Sequence, residues 1–212
     1  MTTYIGLSGY ARAGKDSVAA TLVDRLGFIR VSFADALKSA VKALDPIIGM
    51  KVKEYTPRLA RLSDVWDLER TDAENWERLK HNDELNPPDE ARKLLQRMCT
   101  EVGRNLFGEN FWVDQAFKLV PEGTRGVVFA DARFPNEALA VKAHGGEVWR
   151  ITRPGYGPVN DHPSETSLDD WPFDHELLND RRLEDLAEEA VYLIDPLKTR
   201  FPVRPGSEVT IV

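Results

Sequence analysis

The stretch "YIGLSGYARAGKDS", residues 4–17, leaves this chain few architectures. A short apolar run, 4–8, ends at Gly9, and a helical pattern of Val18, Leu22, Val23 and Leu26 begins near Lys15 and stops at Gly27. Between them, Gly9, Gly14 and Lys15 satisfy G-x-x-x-x-G-K, with Ala11, Arg12 and Ala13 inside the loop. The chemistry explains the spacing. Glycines let consecutive backbone amides close on a phosphate, and the lysine brings a mobile charge to it. The next helix adds its free N–H groups and the positive end of its dipole. One letter differs from the common pattern. Asp16 follows Lys15 where a hydroxyl is usual, and the hydroxyl arrives one step later, at Ser17. Asp16 suits the first turn of a helix by its charge alone, or positions magnesium through water; both readings stand.

Downstream, strand and helix patterns alternate. Strands are read over 28–34, 126–131, 147–152 and 174–180, and helices over 35–46, 89–108, 110–120, 135–146 and 182–194. Asp35 is read as the N-cap of the helix that Pro46 ends. Alternation of this kind predicts a parallel sheet covered on both faces. The fold expected is α/β: a three-layer αβα core around the phosphate loop with a five-stranded parallel sheet, built from 1–46 and 109–195. A mainly helical insertion, 47–108, interrupts it. Short amphipathic helices are read in "PRLARLSDVWDLE" and "DAENWERLKH", and a loop at 83–88. A lid-like loop is read over 153–165 and an irregular tail over 196–212.

In open parallel sheets ligands bind at the carboxyl ends of the strands. "GVVFAD" puts Asp131 there, as a magnesium ligand or as a strand-end cap, and Arg133 within reach of the same edge. A planar guanidinium suits a phosphate. Lys38 falls in the first turn of the second helix. Gln96, Thr100 and Arg104, four residues apart, share a helix face, either as base and phosphate readers or as a solvated stripe. Arg153 opens the glycine- and proline-rich loop after the fourth strand and is placed to close over the phosphates. Arg150, inside that strand, is read as lying on the opposite face with a structural role.

Other classes find no support. The chain carries a formal net charge of −7, which disfavours a general nucleic-acid binder. No apolar stretch is long enough to span a membrane. His162 and His175 lack the companions of a zinc site. Neither H-E-x-x-H, G-x-S-x-G nor the guanine-reading N-K-x-D occurs, and no glycine completes G-x-G-x-x-G. The single cysteine, Cys99, admits no internal disulfide and suits a reducing cytoplasm.

"LSGYARAGKDS", "FADALK", "LLQRMCTEVGR", "FWVD", "FADARFPNEA", "RITRPG", "DHPSE" and "LLND" occur in the order found in phage-type deoxynucleoside monophosphate kinases, which the chain resembles from residue 4 to about 193. "DARFP" resembles the "DGFPR" segment of nucleoside monophosphate kinases with its arginine moved forward. The resemblance implies transfer of the γ-phosphoryl group of ATP to a deoxynucleoside 5′-monophosphate. Lys15, the loop residues and Mg²⁺, held by Asp16, Ser17 and Asp131, would bind the donor. The base of ATP would lie near Asn179 and Asp180. Ser8, Asp35, Lys38, Gln96, Thr100, Arg104, Trp112 and Arg133 would bind the acceptor, with Lys15, Asp131, Arg133 and Arg153 at the reacting phosphates. Partners would be small nucleotides, with a homodimer compatible. The alternative is a kinase of the same fold acting on another phosphorylated acceptor, such as phosphomevalonate.

Overall fold

A computed structural model describes residues 2–53, 56–67, 69–70, 72–79, 85–86, 90–159, 163–195 and 197. The tail beyond 197 and His162 lie outside the described residues, as does part of the 153–165 loop. In chain order come β1 (Thr3–Ser8), α1 (Lys15–Leu26), β2 (Ile29–Val31) and α2 (Asp35–Leu44). Then come β3 (Ile47–Lys53), β4 (Thr56–Arg61), α3 (Asp72–Leu79), β5 (Leu85–Asn86) and α4 (Glu90–Arg97). The helix continues through a π-helical stretch, Met98–Arg104, into a short turn, α5 (Asn105–Phe107). The last elements are α6 (Phe111–Lys118), β6 (Gly126–Phe129), α7 (Pro135–Ala143), β7 (Glu147–Thr152), α8 (Pro163–Thr166), β8 (His175–Leu178) and α9 (Leu183–Ile194). The chain divides into two units, one of Met1–Phe33 with Val113–Val212 and one of Ala34–Trp112.

The first unit is built on a five-stranded sheet in the order β2-β6-β1-β7-β8. Every pairing in it is parallel. Period-two alternation sends successive side chains into two separate cores. Ile5, Leu7, Val128, Trp149, Ile151 and Leu177 meet Val18, Leu22 and Leu26 of α1 and Leu186, Ala190 and Val191 of α9. On the opposite face, Val31, Val127, Phe129 and Val148 meet Val113 and Ala116 of α6 and Ala138 and Val141 of α7. Burial on both sides explains the unbroken apolar run of β6, all four residues of which are buried. From β1 the chain visits β2 and β6 on one flank before β7 and β8 on the other. The carboxyl end of β1 is therefore a topological switch point.

Strand ends are shorter than the sequence suggests. The second strand covers only Ile29–Val31 of the expected 28–34. Asp35 is not the cap of α2 but its first helical residue, with Ala34 at the cap; its charge still favours the helix start.

The second unit holds a core of Leu37, Val41, Ile48, Ala60, Leu62, Trp76, Leu79 and Ala91. It also holds an antiparallel sheet in the order β4-β3-β5. The expected helix in "PRLARLSDVWDLE" is thus corrected to an edge strand followed by a 3-10 turn, Leu62–Asp64. Leu59 and Leu62 are spaced as a helix would space them. Yet Leu59 and Arg61 are exposed while Ala60 and Leu62 are buried, which is the strand period. Pro57 lies on an edge strand, the place in a sheet where a residue without an N–H is tolerated. The expected loop at 83–88 contains the strand β5. No helix among the described residues is long and apolar enough to cross a membrane.

One ion pair ties α1 to α9. Arg25 donates to Glu188 at 2.6 Å, with the side chains only 15% and 8% exposed. Removing one partner of a buried pair strands the other's charge, whereas apolar replacement of both is often tolerated. Glu188→Ala is expected to lower unfolding stability by about 3 kcal/mol, read from the urea midpoint at unchanged slope. Arg25→Met with Glu188→Leu should recover most of that loss. A Glu188→Ala midpoint equal to wild type would show that the pair contributes nothing.

Candidate functional site: the phosphate loop and the sheet edge

The turn leaving β1 is shaped by two glycines. Gly9 has φ +130°, and a Cβ there would lie 2.2 Å from the Ile151 carbonyl oxygen of the neighbouring strand. Gly14, the residue before α1, has φ +116°, and its Cβ would lie 2.8 Å from Asn179 Nδ2 and 3.0 Å from Leu186. No other residue type fits either place without moving backbone or core. Arg12, at φ 64°, takes the left-handed conformation with a side chain present, a strain of a kind that clusters at ligand sites. Asn179 Nδ2 donates to Ala13 O at 2.8 Å from a buried position. Asn179, expected near ATP, therefore also braces the loop from beneath.

Lys15 is 9% exposed and its ammonium donates to Gly9 O at 2.6 Å and Tyr10 O at 2.8 Å. Burial lowers its pKa from 10.5 to about 8; the Arg133 charge pushes the same way, and Asp16, Glu165 and Asp131 oppose it. The ammonium is thus held by neutral carbonyls, with one cation and three carboxylates around it, and burial is the main cause of its lowered pKa.

Asp131 follows β6. Its Oδ1 accepts from Phe33 N at 2.9 Å, and its Oδ2 from the Ser32 hydroxyl. The strand-end cap is realised, so Asp131 has two donors to share with any water on a metal. Asp16 pairs with Arg30 of β2 and its side chain is 82% exposed; its carboxylate is committed to the sheet edge. Ser17 lies in the first turn of α1.

Arg133 is set by the start of α7. Pro135 is the first helical residue, and Glu137 accepts the Arg133 and Phe134 amides at 2.7 and 3.0 Å. This satisfies two donors at the helix entrance, as a capping carboxylate does. The guanidinium donates to Glu165 at 2.8 Å. Arg150 pairs in register with Ser8 and bonds to Asp169 at 2.9 Å. The Tyr10 hydroxyl donates to the same carboxylate at 3.0 Å, and Arg150 lies over the Tyr10 ring. Ser8, Gly9, Tyr10, Arg133, Arg150, Glu165 and Asp169 surround a notch of about 20 Å³, room for one water.

Sequence reasoning missed Tyr10, Glu165 and Asp169, and gave Arg150 only a structural role. Alternation along "EVWRIT" carried the signal for Arg150: Trp149 and Ile151 share one core, which turns Arg150 away from it. Arg153 donates to Arg12 O at 3.4 Å and stacks on Tyr156. With Pro154, Asn179, Asp180 and Arg181 it lines an open recess of about 230 Å³. The structure thus brings Ser8, Gly9, Ala11, Arg12, Ala13, Gly14, Lys15, Asp16, Ser17, Asp131, Arg133, Arg153 and Asn179 into the first unit.

The other expected residues belong to the second unit. Asp35 and Lys38 occupy the first turn of α2. Gln96 lies in the last turn of α4, and Thr100 and Arg104 lie in the π-helical stretch. Gln96 and Thr100 are exposed and Arg104 half-buried. Trp112 donates to Cys99 O at 3.1 Å, and a Cβ on Gly103 would lie 1.9 Å from its indole nitrogen. The glycine admits the indole against the widened helix. π-Helical turns of this kind are frequent at functional sites.

The deoxynucleotide monophosphate kinase family matches over residues 69–190, more than half of the chain. A protein of Acanthamoeba polyphaga mimivirus, provisionally named a deoxynucleotide monophosphate kinase, is 32% identical over 90% of this chain and 95% of its own. The chain belongs to the deoxynucleotide monophosphate kinase family. The deoxynucleoside-5′-monophosphate kinase of Escherichia phage T5 is 25% identical over 84% of this chain and 90% of its own. A dephospho-CoA kinase from Campylobacter jejuni aligns over 93% of this chain at a TM-score of 0.44 and 15% identity, too distant to add to the sheet order. The family match starts after the phosphate loop and includes Asp131, Arg133 and Glu165. The mimivirus relative aligns over nearly the whole chain.

The buried Lys15 carries a stability cost. Its pKa is lower in the folded than in the unfolded state, so the cost is full below about pH 8 and is relieved as pH rises toward 10.5. The shift corresponds to about 3 kcal/mol. Lys15→Met removes it and forfeits two hydrogen bonds, for a net gain of about 1–2 kcal/mol at pH 7. In a chain of this size that raises Tm by about 3–6 °C. The gap between variant and wild type should narrow from pH 7 to pH 9.5 in differential scanning calorimetry. A lower Tm for the variant, or a gap independent of pH, would refute this account of Lys15.

Proposed function

We propose that this chain catalyses dNMP + ATP to dNDP + ADP, and that its phosphate loop holds the donor at the carboxyl end of β1. The observation that carries the reading is the Lys15 ammonium, buried between two glycines that no other residue can replace, at the switch point of a parallel sheet. Membership of the deoxynucleotide monophosphate kinase family supports the acceptor class. Nothing in the family match favours phosphomevalonate as acceptor.

Phosphoryl transfer asks for positioning and charge neutralisation more than for covalent chemistry. Gly9, Ala11, Arg12, Ala13, Gly14, Asp16 and Ser17 form the cradle for the donor phosphates, with Lys15 following the charge to the transferring group. Mg²⁺ suits the oxygen donors here and supplies neutralisation of the polyphosphate when bound. Ser17 is the direct ligand in this reading. Asp131 would hold the metal directly or through its water, oriented by the hydrogen bonds from Ser32 and Phe33. Asp16 contributes charge rather than coordination, given its pair with Arg30. Arg133 binds the acceptor phosphate and the group in flight, and Arg153 closes on the donor. The recess between Arg153 and Asn179–Arg181 takes the base of ATP. Ser8, and from the second unit Asp35, Lys38, Gln96, Thr100, Arg104 and Trp112, serve the acceptor; their chemistry and the family resemblance support this. No general base is needed, because a monophosphate oxygen is already ionised.

Coupled ADP release over the four common deoxynucleoside monophosphates, their ribose forms and non-nucleotide acceptors tests the reaction. Turnover with deoxynucleotides is expected, and turnover confined to non-nucleotides would overturn it. Lys15→Ala should lower kcat by at least about 1,000-fold, comparable to losing a principal electrostatic contact to the transition state. A variant with wild-type turnover removes Lys15 from the mechanism. The free-enzyme pKa of about 8 gives a further expectation. kcat/KM for ATP should fall tenfold per unit above about pH 8, and Lys15→Arg, always charged, should lack that limb at its lower rate.

A further inference from the structure

Two carboxylates of one short segment meet the two arginines of the sheet edge. Glu165, in α8, takes Arg133, and Asp169, just beyond it, takes Arg150 and Tyr10. The Glu165 pair differs in kind from an ordinary surface bridge. Its carboxylate is only 9% exposed, while the Arg133 side chain is 42% exposed. Its second oxygen accepts from Val159 N at 3.4 Å. A carboxylate buried to that extent costs desolvation that only a fixed, well-made pair offsets. The pair therefore fixes the arginine more than it adds stability. A guanidinium has five donors in a rigid fork, so one edge given to Glu165 leaves others for a phosphate.

We propose that Glu165 is a positioning residue for phosphoryl transfer, holding Arg133 in the orientation in which its remaining donors meet the acceptor and transferring phosphates. The proposal rests on the role given to Arg133 above. The main-chain side of Arg133 is already fixed by Glu137, which accepts its amide. Glu165 fixes the other end. With both ends set, the guanidinium reaches its working geometry without losing rotamer freedom during the reaction.

The test is a double-mutant cycle with ATP and the best acceptor of the panel. Arg133→Ala should lower kcat by about 100-fold. Glu165→Gln, equal in size but unable to hold the guanidinium with a full charge, should lower kcat by about tenfold with KM for ATP within about twofold. Glu165→Asp should recover part of the loss. In Arg133→Ala, adding Glu165→Gln should change nothing further. Asp169→Asn, acting on Arg150 and Tyr10, should instead multiply with Arg133→Ala. Thermal melts of each variant separate these effects from unfolding; should Glu165→Gln melt below the assay temperature, Glu165→Asp carries the cycle. Arg133→Ala at wild-type turnover would overturn the role of Arg133 and the proposal with it. Impaired Arg133→Ala with a multiplicative Glu165→Gln would overturn the proposal alone. Equal coupling from Asp169→Asn would assign the effect to the whole segment and overturn the choice of Glu165.

Discussion

Gly9 sits where two parallel strands leave no room for a side chain. A Cβ there would enter the Ile151 carbonyl oxygen at 2.2 Å, and the backbone is already at φ +130°. The turn can close this tightly against β7 only as glycine, and the contacts around the loop depend on that closeness. It aims the Gly9 and Tyr10 carbonyls at Lys15. It brings the Tyr10 hydroxyl to Asp169, and so to Arg150 on β7. The second glycine, Gly14, lets Asn179 and Leu186 come up beneath the loop from the other side. The loop thus rests against β7 on one side and against Asn179, just beyond β8, and Leu186 of α9 on the other. Preorganised donors stabilise developing charge without reorganisation cost.

Much of this was legible in the residues. Gly9, Gly14 and Lys15 set the loop, and the apolar run before it and the 3.6-residue period after it set the strand and helix on either side. "GVVFAD" announced a central strand because burial on both faces needs no alternation. The edge of β2 was less legible. Residues 28–34 alternate well beyond the three that pair, because Phe33 turns into a core without joining the ladder. In the second unit, spacing misled. Leu59 and Leu62 suit a helix and a strand alike, and only burial separates the two. Ion pairs were the least legible. Nothing local in the sequence says that Glu165 meets Arg133, 32 residues earlier, or that Asp16 meets Arg30. Pairings of that kind depend on which strands become neighbours.

Carboxylates at this site divide by what they have already been given. Asp131 is satisfied by Ser32 and Phe33, Asp16 by Arg30, Glu137 by two amides at the start of α7, and Glu165 by Arg133. A site destined for polyphosphate faces a problem of repulsion, and committing each carboxylate to a local donor lessens it. The chain as a whole is acidic, at a formal net charge of −7. In the proposed site the positive potential for an anionic nucleotide comes from the loop amides, Lys15, Arg133 and Arg153, at short range.

In the proposed reaction Lys15 uses the same arrangement that holds it in the resting loop. Two neutral carbonyls hold its ammonium at 2.6 and 2.8 Å, enough to give it one position but not to repay its burial, since its pKa still falls to about 8. A phosphate oxygen adds the attraction of a full opposite charge to bonds that the ammonium already makes as a charged donor. In the proposed reaction that attraction grows where negative charge accumulates during transfer. Asp16 belongs to the same logic. Placed after the lysine, it pairs with Arg30 of β2 across an exposed surface and leaves the first hydroxyl of α1 to Ser17.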